Sequence, residues 1–252
     1  MACEAPDLGV EVGETDKIKS ASIHKGYSFL YLILIHTYMQ LPIIKMLKKR
    51  SQIEVAGLQD EIVQIVYSLD YGAVLHGGTS IWRCYSGNRF SQDLDFYSTS
   101  LFSHKEDFGR MCRSHGLQVT KFKSTGNLLF SSINDGRTVL NLEVNLRKKV
   151  ESMVRPYLNA DGTSFQIRTL SAENIVLEKI DAYIDRRFIR DLYDIFHLLP
   201  FVEDKSSIKK EVSLFLTRLD SPADEGVLKT IVYSGISPSF ERMKIEIARW
   251  AK

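Results

Sequence analysis

Between Glu54 and Leu69 apolar residues recur at helical spacing: Val55, Leu58, Ile62, Ile65, Val66 and Leu69. The period predicts an amphipathic helix packed behind a first core strand, Gly72 to His76. A helix is predicted from His104 to His115, ending at Gly116. Three strand-like runs follow, Leu117–Lys123, Asn127–Ile133 and Thr138–Leu146, separated by the hairpin sequences Ser124-Thr125-Gly126 and Asn134-Asp135-Gly136. The last run alternates cleanly, with Leu140, Leu142, Val144 and Leu146 on one face and Asn141, Glu143 and Asn145 on the other. Phe165 to Arg168 reads as one more strand. Beyond it Ser171 caps a helix over Ala172 to about Arg186 that buries Ile175, Val176, Ile180 and Ile184, and Arg190 opens another. Three further helices are expected: Ser207–Leu219, Glu225–Tyr233 and Ser239–Trp250.

The N-terminal part follows other rules. Residues 1–20 are polar and aperiodic, as in a loosely held tail. Tyr27 to Leu47 is apolar enough to raise the question of a membrane anchor, but His36, Thr37, Gln40, Pro42 and Lys45 interrupt it. A buried helix ended or kinked at Pro42 is the preferred reading. The expected organisation is therefore a tail at 1–22, a helical extension at 23–52, a core at 53–168 and a helical lobe at 169–252. The fold class is α+β (mixed α/β), with a short mixed sheet flanked by helices.

Composition narrows the picture only slightly. The 252 residues are 44% hydrophobic and 25% charged, as in an ordinary globular protein, and 33 basic against 31 acidic residues leave a net charge of +2. Any nucleic-acid contact must then come from local patches, for which Arg186, Arg187, Arg190, Lys205, Lys209 and Lys210 are the candidates. Cys3, Cys84 and Cys112 are far apart, which argues against a zinc site or a disulfide framework and fits a reducing, cytoplasmic location.

The chemistry concentrates in HGGTSIWRCYSGNRFSQDLDFY, residues 76–97. Strand periodicity puts the carboxylates of Asp93 and Asp95 on one face and Leu94 and Phe96 on the other. Two adjacent carboxylates repel unless a cation lies between them, and hard oxygen ligands favour Mg²⁺ or Mn²⁺. Gly77 and Gly78 let the backbone approach a ligand, and the helix that begins at Thr79-Ser80 offers amides to phosphate. Singly, a Gly-Gly turn and an Asp-x-Asp pair are commonplace; their conjunction in strand–turn–helix–loop–strand order is not.

That conjunction resembles the GG[ST]…DxD signature of polymerase-β-like nucleotidyltransferases. Gly77-Gly78-Thr79 followed by Arg89-Phe90-Ser91-Gln92-Asp93-Leu94-Asp95-Phe96 is closer still to the AbiEii/AbiGii-type nucleotidyltransferase toxins. A second block, LEKIDAYIDRRFIRDLYDI, resembles that family's lysine helix and RDLYD segment. The resemblance implies a nucleotidyltransferase-fold core whose site is completed by the C-terminal helical lobe. It also implies transfer of an NMP from an NTP to an acceptor hydroxyl, on RNA or tRNA, with release of pyrophosphate and restraint by a separately encoded antitoxin. Asp93 and Asp95 would hold two Mg²⁺ (or Mn²⁺) ions with Glu143 as the third carboxylate. Gly77, Gly78 and Thr79 would bind nucleotide phosphates together with Lys179. Asp191 would be a further catalytic acid, and Asp194 would orient its neighbours. Arg89 and Ser91 are placed to reach phosphate, Arg89 alternatively to hold Asp95. Competing expectations are a small-molecule (antibiotic-type) or protein hydroxyl as acceptor, and a non-catalytic nucleotide-binding module.

Overall fold

The computed structural model describes residues 42–146 and 150–252. The expected tail at 1–22 and the apolar run as far as residue 41 lie outside the described residues. The last residues of that run form a short helix α1 (Ile43–Met46) with Pro42 at its N-cap.

Helix α2 (Arg50–Leu69) buries Val55, Leu58, Ile62, Ile65 and Val66, as its period predicts. It leads into β1 (Val74–His76), α3 (Gly77–Cys84) and β2 (Leu94–Tyr97). After a 3₁₀ turn and α4 (Lys105–Ser114) come β3 (Gln118–Thr125), β4 (Leu128–Asn134) and β5 (Val139–Asn145). Both hairpin turns have glycine at positive φ, Gly126 at 61° and Gly136 at 91°, the conformation these turns require. Then follow β6 (Met153–Leu158) and β7 (Ser164–Thr169).

The seven strands form one mixed sheet in the order β3-β4-β5-β2-β1-β7-β6. β2 runs antiparallel to β1 and parallel to β5. Leu94, Phe96, Leu140, Leu142 and Val144 all lie on the core face and are at most 1% exposed. Asn141 and Glu143 point to the opposite, open face. The sequence predicts no strand over Met153–Leu158. Pro156 lacks an N–H for a central ladder, and β6 admits it because it is the last strand of the sheet.

The C-terminal part is helical: α5 (Ala172–Arg186), α6 (Ile189–Leu198), α7 (Lys205–Thr217), α8 (Leu228–Ile231) and α9 (Phe240–Ala251). Ser171 caps α5 by accepting from Asn174 N at 3.3 Å. Arg187, in the left-handed region at φ 51°, ends the helix. One expected core residue is on the outside: Ile184 is 47% exposed, because its neighbour Tyr183 packs inward with its hydroxyl bonded to Asp220 O at 2.8 Å. Cys84 and Cys112 are buried free thiols. No helix among the described residues is long and apolar enough to cross a membrane.

Candidate active site

The open face of the sheet carries a continuous row of side chains. Strand register places His76 of β1 beside Asp95 of β2, Asp95 beside Glu143 of β5, Glu143 beside Phe130 of β4, and Phe130 beside Lys123 of β3. Residues paired across neighbouring strands share a face, so these five line up on it. Asp93 immediately precedes β2 instead of lying in it. Its position is set by Thr79, whose Oγ1 donates to Asp93 O at 2.6 Å, and by Asn141, whose Nδ2 lies 3.4 Å from Asp93 Oδ1. Asp93, Asp95, Asn141 and Glu143 line one cavity of about 360 Å³.

The glycine pair is needed for close packing at the start of α3. Gly77 has φ +70°, and a methyl group there would come within 2.3 Å of Asp95 Oδ2. A methyl group on Gly78 would come within 2.5 Å of Ser91 Oγ and 2.6 Å of Arg89 Nη2. The Thr79 hydroxyl, expected on phosphate, is buried and committed to the Asp93 carbonyl. The start of α3 at Gly77 and Gly78 therefore packs directly against Asp95, Ser91 and Arg89.

Behind this corner lies a second group of charges, all of it in protein. Arg89 reaches Asp194 with two hydrogen bonds, Nε–Oδ1 at 2.5 Å and Nη2–Oδ2 at 2.6 Å. Arg89 therefore holds Asp194; the alternative expectation, that it holds Asp95, is not what the structure contains. Lys179 Nζ is 2.8 Å from Asp194 Oδ2 and 3.3 Å from Asp191 Oδ1. Arg186 clasps Asp191 from the other side, with Nε and Nη2 both at 2.8 Å. Asp191 and Asp194 are fully buried. Burial would push the Asp194 carboxyl up, but Arg89 and Lys179 hold it below the usual range. Asp191, expected to be a catalytic acid, thus faces two cations at the α5–α6 junction. Three cations against two carboxylates leave this network with one net positive charge beside the glycine corner.

The open-face acids show the opposite behaviour. Burial raises Asp95, and the charges of Asp93 and Glu178 add to the rise against His76 and Lys179. Glu143 is raised by desolvation and then by Asp95 and Asp93. In both groups burial is the larger cause, and repulsion by neighbouring carboxylates adds to it.

Sequence reasoning left four partners of this site unassigned. Glu178, beside Lys179, accepts from Tyr97 Oη at 2.6 Å, and its Oε2 lies 3.1 Å from His76 Nδ1. The His76 ring stacks on Tyr97 with centroids 4.0 Å apart. Burial pushes Glu178 up, but the bonds from His76 and Tyr97 bring it below the usual range. Asn141 is the remaining one; its place on the Glu143 face, two residues away, is the signal that pointed to it. The candidate basic groove is divided: Arg186 is paired with Asp191, Lys205 lies over Trp250, and Lys209 donates to Lys252 O. Arg190, beside Phe188, borders a separate cavity next to Asp93.

As a metal site, Asp93, Asp95 and Glu143 offer hard oxygen donors, and their mutual repulsion is what a divalent cation neutralises. The donor chemistry fits Mg²⁺ or Mn²⁺. The three acids share one cavity without being drawn into a ready-made cluster, since no group of three His, Cys, Asp or Glu among the described residues is placed to hold an ion.

Residues 65–250 match the family described as nucleotidyl transferase AbiEii toxin, Type IV TA system. The chain belongs to the AbiEii nucleotidyltransferase toxin family. It is accordingly an enzyme of the nucleotidyltransferase type, and membership of a Type IV toxin–antitoxin family implies a separate antitoxin. Among solved structures it is similar to MenT4, a nucleotidyltransferase toxin of Mycobacterium tuberculosis H37Rv, with TM-score 0.56 and 19% identity over 80% of this chain and 84% of that one. It is also similar to JHP933 from Helicobacter pylori, with TM-score 0.53 and 20% identity over 81% of this chain and 91% of that one. At these identities the likeness concerns the fold. A comparison with curated protein sequences gives no match. The AbiEii match spans both the glycine corner and the Lys179–Asp194 network.

Proposed function

We propose that this AbiEii-family enzyme transfers an NMP from an NTP to a hydroxyl of RNA, tRNA included, in the cytoplasm and with Mg²⁺ or Mn²⁺, and that it is held in check by its antitoxin. The observation that carries the reading is the cavity that Asp93, Asp95 and Glu143 line together, with Asp95 against the helix start at Gly77. In the reaction a bond forms between the acceptor oxygen and the α-phosphorus, the bond from that phosphorus to the α–β bridging oxygen breaks, and pyrophosphate leaves. Asp93, Asp95 and Glu143 would hold the metal, which when bound lowers the pKa of the acceptor hydroxyl and offsets phosphate charge.

The chain's own residues do the remaining work. The amides at the start of α3 receive phosphate oxygens, in the manner of other helix N-termini. The net positive network of Lys179, Arg89 and Arg186 favours the triphosphate electrostatically while Asp191 and Asp194 keep the cations in place. Asp191 and Asp194 are positioning residues in this scheme. Glu143, beside Asp95 on the open face, would accept the hydroxyl proton.

The test is to incubate the protein with each labelled NTP, Mg²⁺ and total cellular RNA, with and without EDTA. Label in RNA, pyrophosphate in solution and loss of both on chelation are expected. Label in a low-mass product or in protein alone would assign a different acceptor, and NTP binding without pyrophosphate release would reduce the chain to a binding module.

A further inference from the structure

On the open face, the row through Asp95 and Glu143 is closed at one end and free at the other. Its β1 end is filled by His76, its partner Glu178 and the helix start at Gly77. Its other end runs across β4 and β3, where Glu143 is followed by Phe130 and Phe130 by Lys123. One step along the strands a second row runs parallel to it. Asp93 is bonded by Asn141, the Asn141 amide oxygen accepts from Ser132 Oγ at 3.1 Å, and Ser132 is paired in register with Lys121. Both rows therefore begin at the acids and end at a lysine. Phe130, Ser132 and Lys121 line the same 360 Å³ cavity as Asp93, Asp95 and Glu143. Lys121 and Lys123 are exposed, and among the described residues neither makes an ion pair.

We infer that this β3–β4 half of the open face is the acceptor subsite, and that it takes the end of a single-stranded polynucleotide. Phe130 is an aromatic surface on the open side of β4, which it shares with Leu128, Ser132 and Asn134, and it lies next to Glu143, the acid that would face the attacking oxygen. An aromatic ring at that place stacks a terminal base or ribose and puts its hydroxyl at Glu143. Lys121 and Lys123, two residues apart on β3, meet the phosphodiesters behind that nucleotide, and Ser132 offers its hydroxyl between them. Among the described residues, the open faces of β3 and β4 carry lysines and no carboxylate, so this half-face matches a polyanion and repels a polycationic small molecule. Stacking on an aromatic combined with lysine contacts to the backbone is how single strands are held without a base code. The inference rests on the nucleotidyl-transfer reading above.

The experiment uses the full chain with labelled NTP, Mg²⁺ and RNA, and compares wild type with Lys121→Ala/Lys123→Ala and with Phe130→Leu. NTP affinity is measured separately with a fluorescent NTP analogue. The double lysine variant is expected to raise KM for RNA about tenfold at moderate salt. Its salt dependence should be shallower by about 1.4 in the log–log slope, at about 0.7 for each phosphate of a single strand that a lysine no longer neutralises. Phe130→Leu should raise the same KM about fivefold, within the range for losing one stacked base. In both variants NTP affinity stays at the wild-type value. The subsite is refuted if RNA is labelled and both variants keep wild-type KM and salt slope, or if the wild-type label lands on protein or a small molecule. Wild type that binds NTP and labels no acceptor overturns the transfer reading itself, and the subsite with it.

Discussion

Two groups of charges lie side by side in this molecule and obey opposite electrostatics. In the network of Arg89, Lys179, Arg186, Asp191 and Asp194, each carboxylate is fully buried and touches two cations. On the open face, burial raises Asp95 and Glu143, and neighbouring carboxylates add to the rise against His76 and, for Asp95, Lys179. Asp194 goes the other way and is held below the usual range. The difference separates framework from chemistry. Buried charges at the junction of α5 and α6 are matched by protein and are costly to break singly, whereas the open-face carboxylates form no ion pair with Lys or Arg among the described residues, which is the setting the proposed metal would use.

These opposite electrostatics predict effects of different kinds. Asp194→Ala leaves Arg89 buried without its acid, and breaking a buried pair costs about 3–5 kcal/mol. Thermal denaturation should show a drop of about 10 °C for a chain of this size. Because Asp194 is depressed in the folded state, its stabilisation is full above the unfolded value near 3.9 and is lost as pH falls through its lowered folded value. The penalty of Asp194→Asn should accordingly shrink in urea titrations below about pH 4.

Asp95→Asn should act in reverse, reducing NMP transfer by about 100-fold or more while leaving the fold intact. Its folded pKa is raised, so the ionised form costs stability above that value and nothing below the unfolded one. In EDTA the variant should melt slightly above wild type at pH 7 and level with it near pH 3. A variant that kept wild-type transfer would sink the assignment of this face to catalysis.

The smallest expected effect tests the contact between the glycine corner and the open-face acids. Gly77→Ala forces a side chain into φ +70° and against Asp95 Oδ2, at about 1–3 kcal/mol of strain. A modest fall in melting temperature should be accompanied by a larger fall in transfer, because Asp95 is displaced. Equal losses in both would mean that the glycine serves the fold alone.

Most of the framework was legible along the chain because its signals are local. The period of Val55 to Val66, the alternation of Leu140 to Val144 and the cap at Ser171 each depend on neighbours a few residues away. Ile184 broke its helical pattern because a long-range contact decided which of two adjacent residues turned inward. β6 was illegible for a related reason, since Pro156 excludes a central strand and only the sheet order shows that β6 is at the edge.

The site divides in the same way. The motif residues Gly77, Gly78, Asp93, Asp95 and Lys179 are readable as types in order, and the AbiEii match covers them all. Their partners are not. Arg89 and Asp194 are separated by 105 positions and His76 and Glu178 by 102, and no spacing rule connects them.

By itself the sequence determined which side chains are present, which face of each element they share and that two acids follow a glycine pair. Those are consequences of backbone period and residue chemistry. Only the tertiary structure decided which charges are paired with an opposite charge in the protein and which are not. That outcome depends on the strand order and on the docking of α5 and α6, through distances and burial that no local pattern encodes.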